Sequence, residues 1–184
     1  MDGVIRTRVG YSGGKKKDPT YRRIKDHSET LQIDYDPTKI SYHKLLEIFW
    51  RSHNPTRRAW SRQYKSAIFY HDQKQYQLAL ETKILEEKRR GKSIKTEILP
   101  FDKFYLAEDY HQKYQLRRQK NIMKEFQAMY PKNMDFVNST GAARVNGYVG
   151  GHGTSEEIKA NLKTLGLSDE GQKSLLAIFN RWNN

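Results

Sequence analysis

The chain has 184 residues, of which 36% are hydrophobic, 30% charged and 12% aromatic, with a formal net charge of +13. It contains no cysteine, which excludes disulfides, thiolate nucleophiles and cysteine-ligated metals within these residues. The length suits one core with a small appendage. The cations are scattered and no nucleic-acid reading motif accompanies them, so a basic surface is expected in preference to a nucleic-acid site.

VIRTRV (Val4 to Val9) alternates apolar and basic residues and stops at GYSGG, which predicts a strand. GGKKKDPTYRRIKD is a Gly/Pro-punctuated loop. From Glu29 to Asp36 a second strand is expected. Its alternation puts Glu29, Leu31, Ile33 and Tyr35 on one face. A carboxylate thus heads the apolar row, where burial raises a carboxyl pKa.

Ser41 is the expected N-cap of a helix with Tyr42, Leu45, Leu46, Phe49 and Trp50 on one stripe, stopped at His53-Asn54-Pro55. A buried strand over Lys65 to Tyr70 follows. Asp72 then caps a helix with an inward row of Tyr76, Ala79, Leu80, Lys83 and Ile84, which ends at Gly91. SIKTEILP gives a fourth strand over Ile94 to Leu99, and a ring-rich loop leads into a helix running toward Tyr130.

Composition shifts beyond Pro131. The glycine-rich stretch GAARVNGYVGGHG precedes two helical patterns, Thr154 to Leu165 and Ser168 to Trp182. Thr154 and Glu157 have capping-box spacing, and Leu175, Phe179 and Trp182 fall on one helical row. The expected organisation is a domain over residues 1–130 and a helical extension over 131–184. GGHGTSEE lacks the elements of a phosphate loop, and the six histidines show no paired ligand spacing. No metal and no cofactor are expected. No apolar run approaches the roughly 18 residues of a membrane span, and MDGVIRTRVG lacks a signal-peptide pattern. A cytoplasmic location is the expectation.

GVIRTRVGYSGG, DPTYRRI, HSETLQIDYDPTKISYHKLLEIFWRSHNPT, RQYKSAIF and FYLAEDYHQKY follow one another across residues 3–117. In this order and at these separations they resemble the A-type peptide methionine sulfoxide reductases. That resemblance implies reduction of methionine S-sulfoxide, free or in proteins, to methionine. The chemistry uses a thiolate that attacks sulfur, an acid that protonates the departing oxygen, and donors that hold the S–O group in an aromatic pocket. By matching motif, Glu29 falls on the family's acid, and Tyr21 and Tyr64 on its two sulfoxide-binding tyrosines. On this basis the apolar row offers a reason for Glu29: burial would keep a proton on it near neutral pH.

The resemblance also has gaps. The family's nucleophile sits in a Gly-Cys-Phe-Trp-Gly segment before the region matched here, and that segment and the resolving cysteines have no counterpart in this chain. Between Pro55 and Gln63 the chain has TRRAWSR, where the family carries a longer glycine-rich loop with an Asp that positions the site. The expected fold is α+β: a small mixed β-sheet flanked by helices, with a gap where the family's first strand lies, and a helical C-terminal extension. The resemblance implies a divergent member of the reductase family, expected to be inactive as it stands because the chain has no cysteine nucleophile. The alternative is a non-catalytic module recognising sulfoxide-containing or acidic partners. Thioredoxin is not expected as a partner without cysteines.

Overall fold

The structure, a computed structural model, describes residues 1–183. It is α+β and divides into two compact units. One comprises Val9–Leu31 and Asp36–Ala107; the other comprises Met1–Arg8, Gln32–Tyr35 and the chain from Glu108 onward. Among the described residues, no helix is long and apolar enough to cross a membrane.

β1 (Val4–Ser12) and β2 (Ser28–Tyr35) contribute residues to each unit, and the strand order is β2-β1-β5. β1 runs three residues beyond the expected Val9 because β5 (Tyr105–Leu106) pairs antiparallel with it, Gly10 opposite Leu106 and Tyr11 opposite Tyr105. Gly10 is required there: a Cβ would lie 2.2 Å from the Tyr105 carbonyl oxygen. β3 (Ala67–Tyr70) and β4 (Glu97–Pro100) form a separate parallel pair in the register Ala67 to Glu97 through Tyr70 to Pro100. The strands are thus split between two sheets instead of one, and among the described residues β2 and β3 have no strand joining them. Ile94 and Thr96 are buried but lie ahead of β4, because Lys95 N–H donates to the Pro55 carbonyl at 2.8 Å instead of to a ladder.

In the first unit, α1 (Tyr42–Arg51) starts where the Ser41 hydroxyl accepts from Lys44 N–H at 3.1 Å, satisfying an amide with no intrahelical partner. α2 (Gln73–Arg90) is capped by Asp72 and stops at Gly91, whose φ of 61° is the left-handed cap that glycine adopts without penalty. The buried row of α2 differs from the expected one. Ala79 and Thr82 face inward, whereas Leu80 and Ile84 are exposed. Small side chains win because α2 packs against α1 and β3, and there Ala79 joins Leu46, Trp50, Ile68 and Ile94 in one apolar cluster. Lys83 stays on this side by donating to the Thr96 carbonyl at 2.8 Å.

The second unit is mostly helical, with α3 (Tyr114–Arg117), α4 (Lys120–Met129), α5 (Asn133–Asn138), α6 (Thr140–Val149), α7 (Ser155–Asn161) and α8 (Asp169–Asn183). The expected helix toward Tyr130 is interrupted between Arg117 and Lys120, giving α3 and α4. Most of the glycine-rich stretch, Gly141 to Val149, lies in α6. Ala142, Val145, Tyr148 and Val149 on its inner face are all buried, and burial of that stripe outweighs the weak helix propensity of glycine. Leu116, Phe126, Phe136, Val137, Leu175 and Phe179 are among the residues that share this core. The Thr154–Glu157 capping box forms as expected. Trp182 departs from its expected row: it is 64% exposed, and its indole N–H donates to the Val149 carbonyl at 3.1 Å.

Candidate functional site

The site residues are carried by the loop between β1 and β2, the start of β2 and the turn before β3. The glycine loop is held from inside by His27, which is 1% exposed. Its Nδ1 accepts from Gly14 N–H at 3.2 Å, so Nε2 is the donor to the Lys16 carbonyl at 2.6 Å, and its ring meets Tyr105 edge to face. Asp26 accepts from the Lys15 and Lys16 amides, and the Lys15 hydrogen bond first of all holds its carboxyl below the usual range. Gly13, with φ at 82° and Phe69 against its α-carbon, makes the turn that a side chain would strain.

This framework leaves Tyr21 and Tyr64 on the surface, 41% and 42% exposed. The two phenols share a side-chain hydrogen bond. That bond, then partial burial and the nearby Glu29 charge, raise the Tyr64 pKa above its ordinary value. Gln63 Nε2 donates to Glu29 Oε1 at 2.7 Å. One step back, the Ser28 hydroxyl donates to the Arg62 carbonyl at 3.1 Å, which ties the start of β2 to the 3-10 turn Arg62–Tyr64. The three residues singled out in the sequence are therefore brought together: Glu29 from a strand, Tyr64 from a turn and Tyr21 from a loop.

The expected burial of Glu29 is corrected. Glu29 is exposed, and Leu31, two residues along the same face, is 56% exposed. β2 is the outer strand of its sheet, and nothing among the described residues covers the Glu29 face as a core would. The core-facing position expected for this side chain is not the one it takes.

Two contributors were not singled out in advance. Gln63 lies inside the quoted motif RQYKSAIF, but an amide next to a tyrosine carries no signal of its own. Trp60 is 85% exposed, with its ring 5.0 Å from that of Tyr64. Its loop is anchored at both ends. Asn54 Oδ1 accepts from Thr56 N–H at 3.1 Å, Pro55 accepts from Lys95, and His53 Nε2 lies 2.8 Å from the Ser66 hydroxyl. Burial lowers the His53 pKa, so its imidazole is held as a structural partner.

Chemically, the cluster offers two phenolic hydroxyls, a carboxylate and an amide around an open aromatic surface. Such a set can bind and polarise a small dipolar acceptor. It contains no nucleophilic sulfur, since the 184 residues include no cysteine.

Comparison with known proteins gives a consistent relationship. The family described as "Peptide methionine sulfoxide reductase" matches residues 1–145. A peptide methionine sulfoxide reductase of Drosophila melanogaster is 45% identical over 172 residues, covering 90% of this chain and 67% of that protein. Peptide methionine sulfoxide reductase A5 of Oryza sativa subsp. japonica is 41% identical over 155 residues, covering 80% of this chain and 60% of the other. The chain thus spans about two thirds or less of the length of these relatives. Among solved structures, Mxr1 from Saccharomyces cerevisiae in reduced form superposes with a TM-score of 0.60 at 32% identity, over 65% of this chain and 74% of that one. Methionine sulfoxide reductase A of Corynebacterium diphtheriae gives 0.54 at 31% identity, over 64% and 65% of the two chains. With its quoted motifs, its α+β fold and a family match over residues 1–145, the chain belongs to the peptide methionine sulfoxide reductase family.

Proposed function

We propose that these 184 residues bind methionine sulfoxide, free or in proteins, at the Tyr21–Tyr64–Glu29 cluster and do not reduce it by themselves. The observation that carries this reading is the convergence of those three side chains. Tyr21 and Tyr64 are hydrogen-bonded and Glu29 is close enough to bias the Tyr64 phenol, although the three come from separate segments. A sulfoxide oxygen is a strong, compact acceptor, and phenolic hydroxyls are donors suited to it. Glu29, held by Gln63, borders the same surface.

The catalytic half is absent for a chemical reason. Reduction passes through a bond between an attacking thiolate and the substrate sulfur, leaving a sulfenic acid on the enzyme. A hydroxyl or amine forms no sulfenic acid, and the chain has no cysteine to serve. It equally has no disulfide with which a dithiol such as thioredoxin could exchange. Losing a covalent nucleophile costs orders of magnitude in rate and is not rescued by the remaining binding groups.

The test is an NMR titration with methionine sulfoxide and with methionine. Selective shifts at Tyr21, Tyr64 and Glu29 with sulfoxide, reduced in Y21F and Y64F, are expected. Indistinguishable responses to the two ligands would remove the reading.

A further inference from the structure

The loop before Tyr64 carries features that sulfoxide binding alone does not need. Trp60 is 85% exposed, an exposure that leaves an indole among solvent with most of its apolar surface uncovered. It is not free-floating: its ring lies at 5.0 Å from Tyr64, tilted by 41°, on a loop tied down at Asn54–Thr56, Lys95–Pro55 and His53–Ser66. The rings of Trp60 and Tyr64, with Tyr21 hydrogen-bonded to Tyr64, make one continuous aromatic surface.

The segment that carries Trp60 and Tyr64 is basic. From Pro55 to His71 the chain has four cations, Arg57, Arg58, Arg62 and Lys65, and no carboxylate. Lys65 is engaged with Glu97 at 2.9 Å. Arg57, Arg58 and Arg62 are all exposed, and among the described residues none of them has a carboxylate partner at salt-bridge distance. Arg22 follows Tyr21 directly and is exposed in the same way. Guanidinium groups left unpaired beside exposed rings suit a partner that brings both carboxylates and an apolar or polarisable group.

Resting on the sulfoxide reading above, we propose that Trp60 and Arg57, Arg58 and Arg62 select the sequence around the oxidised methionine: the site takes methionine sulfoxide flanked by Asp or Glu. The methyl and methylene groups of the sulfoxide lie on the Trp60–Tyr64 rings, its oxygen meets the phenols, and the flanking carboxylates reach the arginines. Glu29, beside Tyr64, favours this occupant over a nucleic acid, because a continuous phosphate backbone laid on the rings would run against that carboxylate.

The experiment uses the full chain and three short peptides: methionine sulfoxide flanked by glutamates, the same residue flanked by lysines, and the glutamate peptide with unoxidised methionine. Binding is read by the fluorescence of Trp60 in a W182F background, since Trp50 is buried, and checked by calorimetry. The acidic sulfoxide peptide should bind about tenfold tighter than the basic one at low salt, with the difference shrinking as ionic strength rises. R57E/R58E should reverse the preference, and W60A should weaken both sulfoxide peptides. Equal affinity for the acidic and basic peptides, no binding of either, or unchanged affinities in both variants would overturn the proposal. So would tighter binding of a single-stranded oligonucleotide that displaces the acidic peptide. If the unoxidised acidic peptide binds as well as the oxidised one, the sulfoxide reading fails and the proposal, which rests on it, falls too. Oxidation-dependent binding without charge preference leaves that reading intact and defeats only this one.

Discussion

Lys113 offers the most quantitative test of the fold. It is 5% exposed, sits at φ 53° in the left-handed region, and its ammonium donates to the Thr7 carbonyl and, at 3.0 Å, to the Thr7 hydroxyl. Burial and then the like charge of Arg8 lower its pKa from 10.5 to about 8. Between those values the unfolded chain holds a proton that the folded chain has released, so stability rises with pH across this window. The shift of 2.5, from 10.5 to 8, corresponds to about 3 kcal/mol of destabilisation at neutral pH. About 2.5 kcal/mol of that is relieved between pH 7 and pH 10. K113M removes the titration, so the difference in unfolding free energy between wild type and K113M should move by that amount in favour of wild type as pH rises. Urea unfolding followed by circular dichroism at pH 7, 8, 9 and 10 measures it. Using the difference between the two proteins cancels the tyrosines, which ionise in the same range. A difference that stays flat, or moves in favour of K113M, would refute the reasoning that burial dominates at Lys113.

G10A places a methyl group 2.2 Å from the Tyr105 carbonyl oxygen, and overpacking of this kind should cost about 1–3 kcal/mol, seen as a lower thermal midpoint. F126A empties a site that is 0% exposed in the helical unit. A loss of about 3–5 kcal/mol is expected in urea unfolding. Y21F removes the hydrogen bond that most raises the Tyr64 phenol. Carbon-detected NMR of labelled tyrosine should then show Tyr64 ionising at lower pH, nearer the ordinary 10.0.

The features legible in the sequence are those fixed by local chemistry. Ser41, Asp72, Gly91 and the Thr154–Glu157 box each satisfy or close a helix end within four residues, and short-range hydrogen bonding of that kind leaves a direct mark in sequence. The motifs carrying Tyr21, Glu29 and Tyr64 were legible through family likeness. Other features depended on what packs against what. Alternation in β2 told which residues share the face of Glu29 but not that this face is open, with Leu31 56% exposed. The choice between Ala79–Thr82 and Leu80–Ile84 as the inner row of α2 was made by the close approach of α1 and β3. Side-chain hydrophobicity does not report such an approach. The glycine-rich sequence of α6 does not mark Val145 and Tyr148 as a buried side, and β5 at two residues is too short to leave a pattern. Trp60 became informative only once its exposure and its contact with Tyr64 were visible.

The proposal that these 184 residues, which include no cysteine, bind methionine sulfoxide without reducing it has a direct test. The direct measurement is methionine produced from a methionine sulfoxide peptide by the purified chain with excess dithiothreitol, quantified by mass spectrometry. The account predicts product no higher than the reductant alone gives, even at peptide concentrations that saturate the site. Methionine formed in molar excess over the protein, with contaminating reductases removed, would contradict it.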